Sequence, residues 1–444
     1  MKSQSNRDEV KSFMVSPVQL NETNDGLTRD GKPFFYFADT VWSVFSNAAL
    51  EEWKEYLEYR RLQNFNAVQI SILPVLHDAS GTYTGLSPFH PDEQGQWDFH
   101  RINDAFFDQA EQMVAMACQM GFVPVLVILW NNYVPGTWAN SQVPEYSMPM
   151  DAVRPYTEYV VRRFASYHPI YFVSGDTKFE NEEIVEYFMI SLTTLKALSP
   201  HALAAMHVIG QFHELPQRII ESEHLDLYIY QSGHVLESQQ DNYLLAEQFL
   251  NKPIKRPIIN SEPPYEGHGH GNRYGRFEAF DIRKAFWQSV LSGAKAGFAY
   301  GAHGVWGWHK EGAEFTSESW SKMPFDWRYA LRMPGAWEAA YSQWLYTSHR
   351  LAELNPANEL LLSAYEDIRM AADADRALIA VYVPYSQDVK LKVHSGEYHF
   401  IMIDLTSRNV LQPTVLAVEE HTLLRKCPFN TDVLIIGIKK KTKV

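Results

Sequence analysis

The sequence predicts an α/β fold: a (β/α)8 TIM barrel with a small C-terminal antiparallel β-sandwich domain. Three observations point there. Short apolar runs alternate with longer amphipathic segments eight times over roughly 320 residues, the rhythm of parallel strands joined by right-handed crossovers. The ends of those runs are crowded with polar and aromatic residues, as expected where a barrel carries its chemistry. Beyond Pro356 the helical periods stop and short strand-like runs take over. A doubly wound open sheet shares the alternation, but no Gly-rich phosphate loop follows any of the runs.

Taken in order, residues 1–12 are polar and read as a frayed start. Phe13–Leu20, the NETNDG turn and Leu27–Lys32 suggest a hairpin, with Gly26 and Gly31 as turn residues. The barrel strands are expected at Phe34–Ala38, Ala67–Leu73, Phe122–Leu129, Ile170–Ser174, Leu203–His207, Leu225–Tyr230, Pro257–Ser261 and Gly297–Tyr300. Helical patterns lie near 48–63, 101–120, 151–167, 182–198, 215–223, 239–251, 277–292 and 335–351. The barrel with its hairpin is expected to span 1–354. The sandwich takes 355–444, with strands near 360–362, 368–371, 377–383, 389–393, 398–404, 414–418 and 433–438.

Composition narrows the function classes. The formal charge of −14 over 444 residues argues against nucleic acid and anionic membranes as partners. The basic run Lys439–Lys443, interrupted by Thr442, reads as a solvated tail. Cys118 and Cys427, far apart, make neither a disulfide framework nor a metal site. No stretch approaches 18 consecutive apolar residues and the N-terminal segment lacks an apolar core, so a soluble, cytoplasmic protein is expected. Twelve Trp exceed what a core usually needs; aromatic faces stack on the C–H face of a sugar ring. An oligosaccharide is the expected partner.

The strand ends carry the chemistry. Strand 7 runs from Pro257-Ile258-Ile259 into Asn260-Ser261-Glu262 and stops at a double proline, which cannot donate to a ladder. A carboxylate there, followed by Tyr265 and Glu266, is hard to explain structurally. Strand 1 ends on Asp39 and Trp42, strand 2 on Gln69 and Ser71 with His77 in its loop, and strand 3 on Trp130. Strand 4 gives Asp176, strand 5 His207, strand 6 Gln231 and His234, and strand 8 leads into His303 and Trp306. Asp176 and Glu262 are the informative pair. Carboxyls about 5–5.5 Å apart suit a retaining glycosidase, one as acid/base and the other as nucleophile. Tyr265 is placed to donate a hydrogen bond to Glu262, and a Trp wall would raise the pKa of the acid.

The segments DGKPFFYFADTVW, FNAVQISILP, VSGD, QSGH, IINSEPPYE and YGAHGVWGW resemble, in order and spacing, the apiosidase-like barrels of glycoside hydrolase family 140 and their bacterial relatives. The final sandwich resembles the small C-terminal domain of those proteins. The resemblance implies a retaining mechanism with Asp176 as acid/base and Glu262 as nucleophile. It also places Asp39, Trp42, Gln231, His234, Tyr265 and His303 around the sugar. Trp130, His207, Glu266 and Trp306 join them as substrate-binding candidates. Two departures leave room for a sugar other than apiose. Ser174-Gly175-Asp176 stands where the relatives have Gly-Gly-Asp, and VIGQF after His207 lacks their proline and serines.

The expected function is therefore double-displacement hydrolysis of plant-derived oligosaccharides, with no organic cofactor or metal. Two alternatives stand beside it. One is a catalytically silent sugar-binding barrel. The other is a metal-dependent hydrolase using Asp39, His207, His234 or His303; the EGHGHG segment, Glu266–Gly271, adds a weak metal-like signal.

Overall fold

The structure, a computed structural model, describes residues 16–81 and 85–440. The polar start, the beginning of the expected hairpin (Phe13–Val15) and Lys441–Lys443 of the basic run lie outside the described residues.

Eight parallel strands form one sheet: β1 (Tyr36–Thr40), β2 (Ala67–Ser71), β3 (Val123–Trp130), β4 (Ile170–Thr177), β5 (Ala204–Val208), β6 (Tyr228–Tyr230), β7 (Ile258–Asn260) and β8 (Gly297–Tyr300). The strands pair in sequence from β1 to β5 and from β6 to β8, and β8 pairs back onto β1. A bridge between Ala205 and Leu227 closes the ring at β5 and β6. The strands are near-continuous apolar runs because both faces are covered. All eight residues of β3 (VPVLVILW) are buried, and Pro124 is tolerated near its start.

The first expected strand is shifted by two residues. Phe34 pairs with Leu27 in an N-terminal three-stranded antiparallel sheet (Gln19–Leu20, Leu27–Arg29, Lys32–Phe34), so β1 begins at Tyr36. β6 is shorter than expected, since Leu227 is used in the closing bridge. β4 runs three residues further than expected and carries Asp176 within it. The helix expected near 215–223 is a single turn, Gln217–Ile220. An unexpected hairpin, Phe89–Pro91 with Trp97–Ile102, lies between β2 and β3.

The last part of the chain forms two antiparallel sheets of six and three strands, packed about a shared core that includes Ile379, Val381, Leu391, Phe400 and Ile435. This unit is locked to the barrel by buried polar contacts. Arg283, on the barrel helix Ala279–Val290, donates to both carboxylate oxygens of Asp432 at 3.0 and 2.8 Å, and Arg369 donates to Ser292 Oγ at 2.9 Å. No helix among the described residues is long and apolar enough to cross a membrane.

Candidate active site

The carboxyl ends of the strands open onto a cavity of about 570 Å³. Of the twelve residues expected to be catalytic or substrate-binding, eight line it: Trp42, Trp130, Asp176, Gln231, His234, Glu262, Tyr265 and Trp306; His77, noted in the loop after strand 2, lines it too.

Glu262 follows β7 directly, and that strand is pinned by Asn260, whose Nδ2 donates to Ser232 and Ser289 at 2.9 and 3.0 Å. Two histidines meet the Glu262 carboxylate. His234 Nε2 is 3.0 Å from Oε1, and His207 Nε2 is 3.1 Å from Oε2, a contact whose angle falls outside that of a well-formed hydrogen bond. The other ring nitrogens fix both tautomers. The backbone N–H of Tyr265 donates to Nδ1 of His234 at 3.2 Å, and that of Asp176 donates to Nδ1 of His207 at 3.3 Å. Each imidazole therefore carries its proton on Nε2, facing the carboxylate. Burial alone would raise the pKa of Glu262; the two histidines outweigh it and hold this carboxyl below the usual range. Tyr265, whose hydroxyl accepts from Trp42 Nε1 at 3.0 Å, also hydrogen-bonds Glu262.

Asp176 sits in the opposite environment. Its Oδ1 is shielded from solvent and has no hydrogen-bond partner. Burial first, then the charges of Glu262 and Asp78, push its pKa well above the ordinary value. Its backbone adopts a left-handed φ of 57°, an uncommon conformation for a residue other than glycine. That conformation is held from several sides, because its carbonyl accepts from Asn131 Nδ2 at 2.6 Å and Trp138 Nε1 at 3.0 Å. Gly175 pairs with Trp130 across the β3–β4 ladder, and a Cβ there would lie 2.5 Å from the indole ring. A side chain at this position would displace the Trp that walls the cavity.

Four candidates lie outside the cavity lining. Asp39 is completely buried and held by Arg60 Nε at 2.5 Å, the Tyr56 hydroxyl at 2.7 Å and the Thr40 amide at 3.0 Å, so all three of these partners are structural. Glu266 accepts from the Tyr300 hydroxyl at 2.6 Å and from the Gly335 amide at 2.9 and 2.8 Å, anchoring the start of the helix Gly335–Ser348. His303 donates from Nε2 to the Lys322 carbonyl at 2.7 Å and accepts from Trp306 Nε1 at 3.2 Å. It orients Trp306 without reaching the cavity. His207 stands behind Glu262, stacked on Phe172.

Several cavity residues escaped the sequence reading. Asp78 in the loop after β2, Trp138 after β3 and Trp320 in the long loop after β8 all line the space. None sits at a strand end, so only three-dimensional proximity reveals them. His268 also lines it, packed on His234 with ring centroids 4.4 Å apart, whereas His270 packs on Phe277. The histidines of EGHGHG thus diverge.

Among the described residues, one set could present donors to a single cation: Asp176, His207 and Glu262, with ligand atoms within 4.8 Å of one another. It includes neither Asp39 nor His234 nor His303. The Asp176 amide also takes up the Nδ1 lone pair of His207, leaving an N–H rather than a lone pair toward Glu262. That donor set suits a carboxylate better than a metal.

A family profile described as "Apiosidase-like, catalytic domain" matches residues 22–353. Among solved structures, the chain is similar to a glycoside hydrolase family 5 protein from Bacteroides vulgatus, with a TM-score of 0.77 and 17% identity over 95% of this chain and 93% of that one. It is also similar to a structure described only as a glycoside hydrolase, with a TM-score of 0.76 and 18% identity over 96% and 98% of the two chains. No curated protein sequence gives a significant match. At such identities the two structures speak for the fold, a barrel with C-terminal sheets. The family match spans most of the chain, which therefore belongs to the apiosidase-like catalytic-domain family of glycoside-hydrolase-like barrels.

Proposed function

We propose that the protein is a retaining glycoside hydrolase acting on plant-derived oligosaccharides, with Asp176 as acid/base and Glu262 as nucleophile. The observation that carries this reading is the pairing of two carboxyls in one cavity. Their oxygens approach within 4.8 Å, and their surroundings push the pKa values in opposite directions. An acid kept protonated beside a carboxylate kept ionised is the arrangement double displacement needs, and the short separation leaves little room for the water an inverting enzyme places between them.

Protonated Asp176 gives its proton to the departing glycosidic oxygen while Glu262 attacks the anomeric carbon, forming a glycosyl ester. Asp176, now ionised, takes a proton from water as that water attacks the same carbon, and the sugar leaves with its original configuration. The Nε2–H groups of His207 and His234 hold the Glu262 carboxylate in place and ionised. The indoles of Trp42, Trp130 and Trp306 supply apolar walls for the ring. The C-terminal sheets, whose Tyr382 is buried against Asp432 at 3.3 Å, serve in this reading as a brace for the barrel.

Proton NMR of the first product formed from a hydrolysed glycoside tests the stereochemistry. Retention of the anomeric configuration is expected; an inverted product would overturn the double-displacement assignment.

A further inference from the structure

Besides the catalytic pair, the cavity contains a third carboxyl, and no bond-making step described above uses it. Asp78 lines the cavity from the loop after β2. Ser317 hydrogen-bonds this carboxyl, yet Oδ1 is shielded from solvent and has no hydrogen-bond partner. Two other groups on the cavity wall share that condition: Oε1 of Gln231 and Nε1 of Trp130, on residues only 5% and 3% exposed. Buried polar atoms without partners are uncommon because each forfeits its hydration. All three residues line a space large enough for a sugar, and a ligand bearing hydroxyls offers each of these groups a partner. A hydroxyl donates to a carboxylate or amide oxygen and accepts from an indole N–H.

The charge of the wall adds a second constraint. Asp78, Asp176 and Glu262 all line the cavity, while no Lys or Arg does so among the described residues. Recognition of a sugar carboxylate needs a cation or a set of convergent donors. The lining histidines supply no cation: His234 already gives its Nε2–H to Glu262, burial pushes the pKa of His77 down to about 4, and burial holds His268 well below its ordinary value. Burial likewise pushes Asp78 up to about 6, against the Ser317 hydrogen bond, so it is largely ionised at neutral pH.

We propose that Asp78 is a specificity-determining residue: with Gln231 and Trp130 it receives the hydroxyls of a neutral sugar bound against Glu262, and its charge excludes uronic acids from that position. This rests on the carbohydrate reading of the cavity, though not on turnover. It assigns the glycone to the neutral sugars and leaves the leaving group unrestricted.

Binding can be separated from hydrolysis in the full-length Glu262→Gln protein. Its intrinsic Trp fluorescence would be titrated with methyl pentosides (apiosides included), methyl hexosides and the matching hexuronides. At least one neutral glycoside is expected to bind, with every hexuronide about tenfold weaker or more. Adding Asp78→Asn, which keeps the side-chain shape, is expected to weaken the neutral glycoside about tenfold or more, the scale of one hydrogen bond to a charged group, and to narrow the gap to the hexuronides. An unchanged thermal midpoint would show that the loss is local. A hexuronide that binds as tightly as the best neutral sugar, an Asp78→Asn protein that binds normally, or no binding across the panel would overturn the proposal. Selective neutral-sugar binding by a wild-type protein that hydrolyses no glycoside would instead overturn the hydrolase reading and leave Asp78 in its role.

Discussion

Nε2 of His207 stands 3.1 Å from Oε2 of Glu262, and the nitrogen on the far side of the same ring accepts the backbone N–H of Asp176. One imidazole thus links the two strands that bear the acids. The Asp176 amide thereby orients one of the two N–H groups that favour ionised Glu262. His234 repeats the arrangement from the opposite side with the Tyr265 amide, so both oxygens of Glu262 face an N–H of fixed direction.

The first consequence concerns the pH profile. Glu262 is held below its ordinary range by these donors, and Asp176 is raised by burial and by the neighbouring carboxylates. The proposed mechanism needs ionised Glu262 and protonated Asp176, so kcat/KM is expected to be bell-shaped, with macroscopic values belonging to the pair. Replacing His234 with Ala removes a donor to ionised Glu262. Its pKa then rises, and the acidic limb is expected to move to higher pH. An acidic limb that stays in place in the variant would separate His234 from the ionisation of Glu262.

The two acids should respond differently to leaving-group chemistry. Asp176→Asn is expected to lower kcat about 10²- to 10⁴-fold on a natural glycoside, and much less on an aryl glycoside whose phenolate departs without a proton. Glu262→Gln is expected to lose activity on both. Parallel rate measurements on the two substrates decide the assignment, and equal losses from Asp176→Asn would argue against its acid role.

Asp39 offers a stability test that contrasts with a sugar-binding role. Replacing it with Ala leaves the guanidinium of Arg60 buried without its partner, and both groups are fully buried. A destabilisation of about 3–5 kcal/mol is expected in denaturant unfolding. A stable Asp39→Ala protein with weakened sugar binding would return Asp39 to the substrate.

Two glycines set the shape of the site by what they omit. A Cβ on Gly175 would meet the Trp130 ring at 2.5 Å, and one on Gly301 would meet Tyr265 at 2.1 Å. Gly175→Ala and Gly301→Ala are each expected to cost about 1–3 kcal/mol through overpacking, and to reduce kcat by moving a wall residue. Unfolding midpoints and kinetics on the same preparations check both effects.

Barrel and sandwich were legible because the apolar runs are long and regular, and because the acids stand at strand ends. Asp176 and Glu262 could be brought to one cavity from strand number alone. The boundary at Phe34 was not legible, since its pairing with Leu27 competes with the barrel and both sites suit an apolar residue. The Phe89–Ile102 hairpin carried a turn signal in Asp92–Gln96, with Gly95 at a φ of 82°, but its strands lack clean alternation. Asp39, Glu266 and His303 look like site residues in sequence because they flank strand ends. Only the positions of Arg60, Tyr300, Gly335 and Lys322 reveal that their polar atoms are engaged elsewhere. Asp78 was missed for the converse reason: it sits in a loop that sequence gives no cause to fold over the cavity.

The most direct test of the double-displacement assignment is mass spectrometry of the protein after incubation with a panel of 2-fluoro glycosides that includes apiosides and common plant sugars. The fluorine slows release of the sugar, so a covalent adduct on the peptide containing Glu262 is the expected result. It would identify the nucleophile, the retaining course and the sugar together. An adduct on any other residue, or turnover of the parent glycosides with no adduct across the panel, would contradict the assignment of Glu262.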